Sequence, residues 1–297
     1  MTLYDWIYFT ILAAFMQSVR TAGQKQLSRH LNAMATTLVR FLFALPFVWL
    51  YLFLISQFQN IAVPNLNADF VQSSFLAAVA QIAGTAFVIM AFRYQNFAVA
   101  TSLVKTEAVL TAIMGVLAFD AVLSGFGWMS VVIGVTGVLI LSKTDVGLKS
   151  IFNSPASAYG IAAGLGFALA TLWIRQASLA LQTDLILSAA FTLAFMVTLQ
   201  TFLVLLYVIF QDKNQLRLVI DNWRMSLFVG IASMLGSIGW FTAASLQTAA
   251  YVKALGQVEF FFTLIITYKV FREHINVREY IGMFLIVVSV VILLLLA

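Results

Sequence analysis

Two lysines and two glutamates interrupt long apolar stretches of the sequence, and their side chains are the ones best suited to chemistry. Lys105 and Glu107 lie in the segment TSLVKTEAVLTA, and Lys253 and Glu259 lie in YVKALGQVEFFFTL. A carboxyl group in an apolar cavity can take up and release a proton, and a lysine there can contact an anionic group. These residue types favour the binding or coupling of a charged solute.

The spacing of these residues predicts which of them share a helix face. Lys105 and Glu107 are two residues apart, so on a helix of about 3.6 residues per turn they diverge by about 200° and are not expected to pair with each other. Thr101 and Lys105 are four residues apart and share a face, as do Lys253 and Gln257. We expect these four side chains to line a central cavity and to bind the substrate.

Glu107 and Glu259 have two interpretations that the sequence leaves open. As structural groups they would neutralise Arg20, Arg40 or the lysines and hold helices together, at a desolvation cost that often cancels the gain. As coupling or gating groups they would bind and release protons while the lysines contact an anionic or zwitterionic substrate. The six deep charged residues are four cations and two anions, and this surplus favours a substrate with negative charge.

Other residues are weaker candidates for substrate contacts. Aromatic side chains could stack on a substrate or hold a cation, although aromatic residues near helix ends often form the interfacial belt instead. There is no cysteine, both histidines lie in basic loops, and no nucleotide-binding or catalytic motif is found, so no metal and no cofactor is predicted. The additional candidates for substrate binding are Arg40, Trp173, Trp240 and Tyr251.

Composition indicates which elements position these groups. Of 297 residues, 63% are hydrophobic and 9% are charged, whereas soluble domains are about a quarter charged. The chain is therefore predicted to be an all-α integral membrane protein in a lipid bilayer. The net charge of +5 comes from scattered basic residues, which argues against a nucleic-acid partner. Ten apolar segments are predicted as transmembrane helices: 4–22, 33–55, 71–92, 98–119, 124–142, 156–174, 185–210, 223–245, 249–271 and 276–296.

An internal repeat divides these ten helices into two halves. A shift of 152 residues pairs Glu107 with Glu259, and the same ungapped offset aligns further polar and glycine positions, such as Gly84 with Gly236. Residues 1–145 and 146–297 then hold five helices each, and an odd number gives the two repeats inverted topology. Such repeats build transporters whose site lies near the membrane midplane. The alternative is that two apolar halves match by composition alone.

Several segments carry a resemblance to a known family. They are LVRFLFALPF, QNFAVATSLVKTEAVLTAI and WMSVVIGVTGVLIL in the first half, and LQTAAYVKALGQVEFFFTLI, FREHINVRE and YIGMFLIVVSVVIL in the second. In this arrangement the chain resembles the drug/metabolite transporter superfamily, and within it the EamA-type family of ten-helix carriers. The resemblance implies secondary active transport of a small metabolite. The turns FDAVLS and FREHIN depart from the family's frequent glycine–glutamate turn, and only the second keeps a glutamate, Glu273.

Loop charges predict an orientation in a bacterial-type cytoplasmic (inner) membrane. Positive charge in short loops marks the cytoplasmic side, and on one side of the predicted bundle only Arg175 lies close to a helix end. Both termini fall on that side and are predicted to face outward, although the family resemblance leans toward cytoplasmic termini. The basic residues of the predicted cytoplasmic side are Lys25, Arg29, Arg93, Lys143, Lys149, Lys213, Arg217, Arg224, Lys269, Arg272 and Arg278.

The leading functional hypothesis is a carrier, monomeric or homodimeric, that works by alternating access. Its substrate is expected to be a small polar metabolite that is amino-acid-like, zwitterionic or anionic, with proton coupling or exchange. The alternative is a membrane enzyme or flippase that acts on a lipid or lipid-linked substrate. The acidic residues are few and unclustered, so no enzyme is predicted. A channel would favour a continuous polar stripe or a ring of like charges, which is not evident.

Overall fold

The computed structural model shows a chain built from packed helices. It describes residues 4–59, 64–93, 104–141, 155–266, 268 and 277–296, and all regular secondary structure in these ranges is helical. The helices of the first half are α1 (Asp5–Leu27), α2 (Ala33–Leu42), α3 (Leu45–Gln59), α4 (Ala68–Ala91), α5 (Glu107–Ala118) and α6 (Gly125–Leu141). Those of the second half are α7 (Pro155–Ala180), α8 (Leu185–Gln211), α9 (Asn214–Asp221), α10 (Trp223–Leu246), α11 (Ala249–Leu255), α12 (Glu259–Ile266) and α13 (Val277–Leu296).

Five helical stretches among the described residues are long and apolar enough to cross a membrane. They have 23 to 27 residues each, and a bilayer requires about 20. Apolar helices α5, α6 and α13 are shorter. The prediction of an all-helical membrane protein is confirmed, whereas the count of ten spans stays a prediction. The five long stretches are Ala33–Phe58, Ala68–Ala91, Ala158–Ala180, Leu185–Gln211 and Trp223–Leu246.

The predicted second span, 33–55, consists of two helices that meet at a turn. Helix α2 ends at Leu42 and α3 begins at Leu45. Pro46 follows immediately, and a proline has no N–H to donate and crowds the preceding turn, so a helix tends to end before it and restart. Uninterrupted apolar character in the sequence conceals this break.

The predicted polar connection 211–222 contains an amphipathic helix, α9. Leu216, Leu218 and Val219 pack against buried apolar clusters, while Arg217 is exposed. A short helix of this kind is stabilised mainly by burial of its apolar face, because its own hydrogen bonds are too few to hold it. The connection is therefore ordered by packing against the bundle.

Helices of the two halves pack together in pairs that recur when the halves are exchanged. Helix α4 packs along α7, and its repeat equivalent α10 packs along α1; in the same way, α5 contacts α7 and α12 contacts α1. Helix α6 packs along α13. Small residues allow the close approach. A Cβ atom on Gly166 would lie 2.9 Å from the Ala80 carbonyl oxygen, and one on Gly239 would lie 2.5 Å from that of Phe9.

Arg175 on α7 stabilises the end of α10. Its Nη1 atom donates to the carbonyl oxygens of Ala244 at 2.7 Å and Gln247 at 2.6 Å. These carbonyls lie where a helix leaves acceptors unsatisfied and carries partial negative charge, so a cation there contributes to stability. The guanidinium group of Arg175 therefore binds carbonyl oxygens of the protein at the end of α10.

Candidate functional site

Four buried charged side chains form two ion pairs that cross between the halves of the sequence. Lys253 Nζ lies 2.6 Å from Glu107 Oε1, and Lys105 Nζ pairs with Glu259 Oε2. All four residues are less than 10% exposed. Each lysine therefore neutralises the glutamate of the other half, and opening either pair would separate two elements that belong to different halves.

Each glutamate is the first residue of a helix. A turn at residues 105–106 precedes α5, which begins at Glu107, and a 3-10 turn at Gly256–Val258 joins α11 to α12, which begins at Glu259. The two helix starts are equivalent under the offset of 152 residues. A carboxylate at the first residue of a helix interacts favourably with the partial positive charge of its N-terminus, by roughly 0.3–1 kcal/mol at exposed sites. Both glutamates thus occupy the same position in their repeats.

Gln17 on α1 links the second glutamate to an aromatic side chain. Its Nε2 atom donates to Glu259 Oε2 at 2.6 Å, and its Oε1 atom accepts from Trp240 Nε1 at 2.7 Å. The ring of Trp240 lies under the other lysine, with Lys253 Nζ 4.0 Å from the ring centroid. Such cation–π contacts add to the attraction of a nearby carboxylate when the groups are desolvated. One network thus joins α1, α10, α11 and α12.

Two small cavities adjoin this network. The first, of about 10 Å³, is lined by both ion pairs together with Gln17, Trp240 and Gln257. The second, of about 20 Å³, is lined by Lys105 and Glu259 together with Arg20 and Arg40. Each has room for about one or two water molecules. A metabolite of several heavy atoms would fit only if the side chains that line these cavities moved apart.

The structure brings together most of the residues that the sequence proposes for the site. Arg40 lines the adjoining cavity, and its Nη1 atom donates to Thr85 Oγ1 at 2.6 Å. Gln257 is buried, and both atoms of its amide group lack a hydrogen-bond partner. The proposed residues that line the smaller cavity are Lys105, Glu107, Trp240, Lys253, Gln257 and Glu259.

Two other proposed residues are not among those that line the cavities. Trp173 packs edge-on against Phe119, with ring centroids 6.1 Å apart. The hydroxyl group of Tyr251 lies 3.4 Å from Ser124 Oγ. Both aromatic side chains therefore make contacts between helices, and neither lines either cavity. Thr101 lies outside the described residues.

Gln17 is the residue whose importance the sequence understates. It is one polar group in a mostly apolar first helix, and helices often satisfy such groups by packing. A mid-helix glutamine without a partner nearby in sequence is a weak signal by itself. Its contact with Glu259 depends on how α1 crosses the start of α12, which only the three-dimensional arrangement shows.

Comparison with known families identifies the chain. The sequence model of the EamA-like transporter family matches residues 5–143 and again residues 154–295. The chain belongs to this family of membrane transporters within the drug/metabolite transporter superfamily, and the resemblance seen in the sequence is confirmed. No curated protein matches the chain. A solved structure described only as "Crystal structure of protein" is 11% identical, with a TM-score of 0.72 over 98% of this chain and 99% of that one. That similarity shows the fold alone.

Proposed function

We propose that the protein is a secondary active transporter of a small polar metabolite, which it moves across the cytoplasmic membrane by alternating access. The observation that carries the proposal is the pair of crossed ion pairs, Lys105–Glu259 and Lys253–Glu107, at the equivalent starts of α5 and α12. Buried charges in a membrane are costly and are usually found where a solute or ion passes. Broken helices near the midplane are typical of transporter sites.

In this carrier the crossed ion pairs hold the two halves together, and a proton or a charged substrate can weaken them. In the closed state each carboxylate is neutralised by a lysine from the other half. A proton on Glu259, or a substrate charge that competes for Lys105, weakens the attraction between the two partners. The elements that they join can then separate and admit the substrate. Coupling to protons, or obligatory exchange, follows if the empty site reopens only after a charge is delivered.

The proposal includes ten transmembrane helices arranged as two inverted repeats, residues 1–145 and 146–297. The packing pairs support it: α4 with α7 has its counterpart in α10 with α1. Exchange of equivalent partners is what a two-fold axis between repeats produces. Alternating access then amounts to a rearrangement of one repeat against the other around Lys105, Lys253 and the two glutamates.

Transport by purified protein in liposomes tests the proposed function. We expect saturable uptake of at least one solute from a panel of amino acids and small organic acids, and faster uptake when the liposomes contain the same solute unlabelled. Trans-stimulation of this kind distinguishes a carrier from a channel. Flux that does not saturate would contradict the proposal. So would transfer of labelled phospholipid between leaflets without any solute uptake, which is the result expected of a flippase.

We further propose that both termini face away from the cytoplasm. Arg175, the one cation near a helix end on the predicted outer side, is held by the carbonyl oxygens of α10, so the remaining loop charge lies on the other side. Because the chain has no cysteine, single cysteines report sidedness cleanly. On intact cells an impermeant thiol reagent should label Asn60→Cys but label Thr144→Cys only after permeabilisation; both positions lie outside the described residues. The reverse pattern would refute this orientation.

A further inference from the structure

Two buried arginines beside the ion-paired cluster form no ion pair with any residue that the structure describes. Arg20 is 4% exposed and Arg40 is 3% exposed. The Nε and Nη1 atoms of Arg20 and the Nε atom of Arg40 have no hydrogen-bond partner. Gln24, 3% exposed, leaves its Nε2 atom unpaired in the same region. A buried donor without an acceptor is costly, and more so when the donor is charged.

The charges of the site do not balance without an additional anion. Between described residues, the ion pairs are Lys105–Glu259 and Lys253–Glu107, so both glutamates are already neutralised by lysines. The surplus of two positive charges therefore falls on Arg20 and Arg40. Among the described residues, Arg40 contacts the neutral acceptor Thr85 and the ring of Phe41, whose centroid lies 5.2 Å from its Cζ atom, but no carboxylate. Isolated charges are expensive in a membrane interior, so the pair requires either an anion or water.

The cavity next to these arginines has the size and lining of an anion-binding pocket. Its volume is about 20 Å³, and Arg20, Arg40, Gln24 and Thr85 all line it. Apolar side chains complete the wall, namely Val88, Val104 and Phe167. This volume accommodates about one or two water-sized groups. A carboxylate group, with two oxygens, is a closer match to that space than a phosphate group with four.

We infer that the cavity between Arg20 and Arg40 is a subsite for the carboxylate group of the transported molecule. The guanidinium groups can each offer paired N–H donors to one carboxylate, which is the arrangement that makes arginine–carboxylate contacts strong. Glu259 and Lys105 line the same cavity and are paired with each other. The subsite therefore selects for a carboxylate group and sets no charge requirement on the rest of the molecule. This inference rests on the proposed transport function and specifies its substrate class.

Ligand binding to the purified protein tests the subsite. The probes are the protein amino acids, the carboxamide of each amino acid that binds, acetate, inorganic phosphate and sulfate. We expect at least one amino acid to raise the Tm of the protein, and its carboxamide to bind about 10- to 100-fold more weakly, which is the loss typical of removing a charge-assisted hydrogen bond. Arg20→Gln and Arg40→Gln should each weaken amino acid binding to a similar degree. Arg29→Gln, which alters an exposed arginine just beyond the end of α1, should leave it unchanged.

The Tm of each variant without ligand distinguishes loss of binding from loss of folding. Removing an unneutralised buried cation should leave the Tm of Arg20→Gln or Arg40→Gln equal to or above that of the wild-type protein. If either variant fails to fold, Arg20→Lys and Arg40→Lys are used instead. They keep the positive charge but lose the planar guanidinium group with its paired N–H donors. They should weaken binding less than the glutamine variants are expected to. Equal binding of acid and carboxamide, unchanged binding in all arginine variants, or binding of phosphate, sulfate or no probe at all would each overturn the inference.

Uptake by proteoliposomes tests the proposed transport function separately from the carboxylate subsite. If the arginine variants lose carboxylate binding but the wild-type protein neither transports nor exchanges any probe, the subsite stands and the transport proposal fails. If the wild-type protein shows saturable uptake of a neutral or cationic solute that the arginine variants retain, transport stands and the subsite fails.

Discussion

Replacing Glu259 with glutamine should abolish the accumulation of substrate driven by a pH gradient. Glutamine preserves the shape of the side chain and can still accept from Gln17, but it can neither pair electrostatically with Lys105 nor carry a proton. Each pH unit corresponds to about 1.36 kcal/mol per proton, so one coupled proton and a gradient of two units support up to about 100-fold accumulation. In Glu259→Gln we expect internal and external substrate concentrations to become equal.

Accumulation and exchange in the same proteoliposomes measure this effect. Exchange of labelled for unlabelled substrate needs no net proton movement, so Glu259→Gln should retain it while losing accumulation. Asp221→Asn, which neutralises an exposed carboxyl group outside the site, is the matched control and should accumulate substrate like the wild-type protein. A Glu259→Gln protein that still accumulates substrate to the wild-type level would show that this carboxyl group is structural.

The structure predicts a smaller effect at the equivalent position. Glu259 lines both cavities and contacts Gln17, whereas Glu107 lines only the smaller cavity. Glu107→Gln should therefore slow transport but leave accumulation measurable. The comparison separates the two symmetry-related carboxyl groups, which occupy the same position in their repeats but different surroundings.

Charge in an apolar segment was the part of the site that could be predicted from the sequence. Lys105, Glu107, Lys253 and Glu259 are conspicuous because each costs free energy in a membrane unless something compensates it. Which of these four residues pair with each other was harder to predict from the sequence. The helical spacing correctly separates Lys105 from Glu107, but it assumes a continuous helix, and the chain turns at residues 105–106. The exchange of partners between the halves is a property of the packed bundle.

The positions at which helices end inside apolar segments could not be predicted from the sequence either. Hydropathy reports how apolar a segment is, not whether its helix continues, so the breaks at Pro46 and Gly256 fall inside predicted spans. Both residues are plausible break points: proline lacks a donor, and glycine is a poor helix former. Glycine is also frequent inside membrane helices, where it allows close packing. Composition alone does not separate these two uses.

Removing one partner of the Lys253–Glu107 pair should destabilise the protein far more than removing both. Lys253→Met leaves Glu107 as an uncompensated buried carboxylate, and breaking a buried pair in this way costs about 3–5 kcal/mol. The double variant Lys253→Met/Glu107→Met replaces the pair with apolar side chains of similar length, which in other proteins is often neutral or stabilising. A methionine at position 253 also keeps a favourable contact with the ring of Trp240. We expect the double variant to unfold within about 1 kcal/mol of the wild-type protein.

Unfolding in mixed micelles by denaturing detergent measures these free energies, with Lys213→Met as the control for loss of an exposed lysine. A single variant as stable as the wild-type protein would contradict the buried pair, and a double variant as unstable as the single one would show that the residues stabilise the bundle independently of each other.

Transport by the double variant then separates the two interpretations of these charges. A pair that only holds helices together can be replaced by apolar packing without loss of transport. A pair that opens and closes in each cycle cannot, so we expect the double variant to be stable but to transport substrate much more slowly than the wild-type protein.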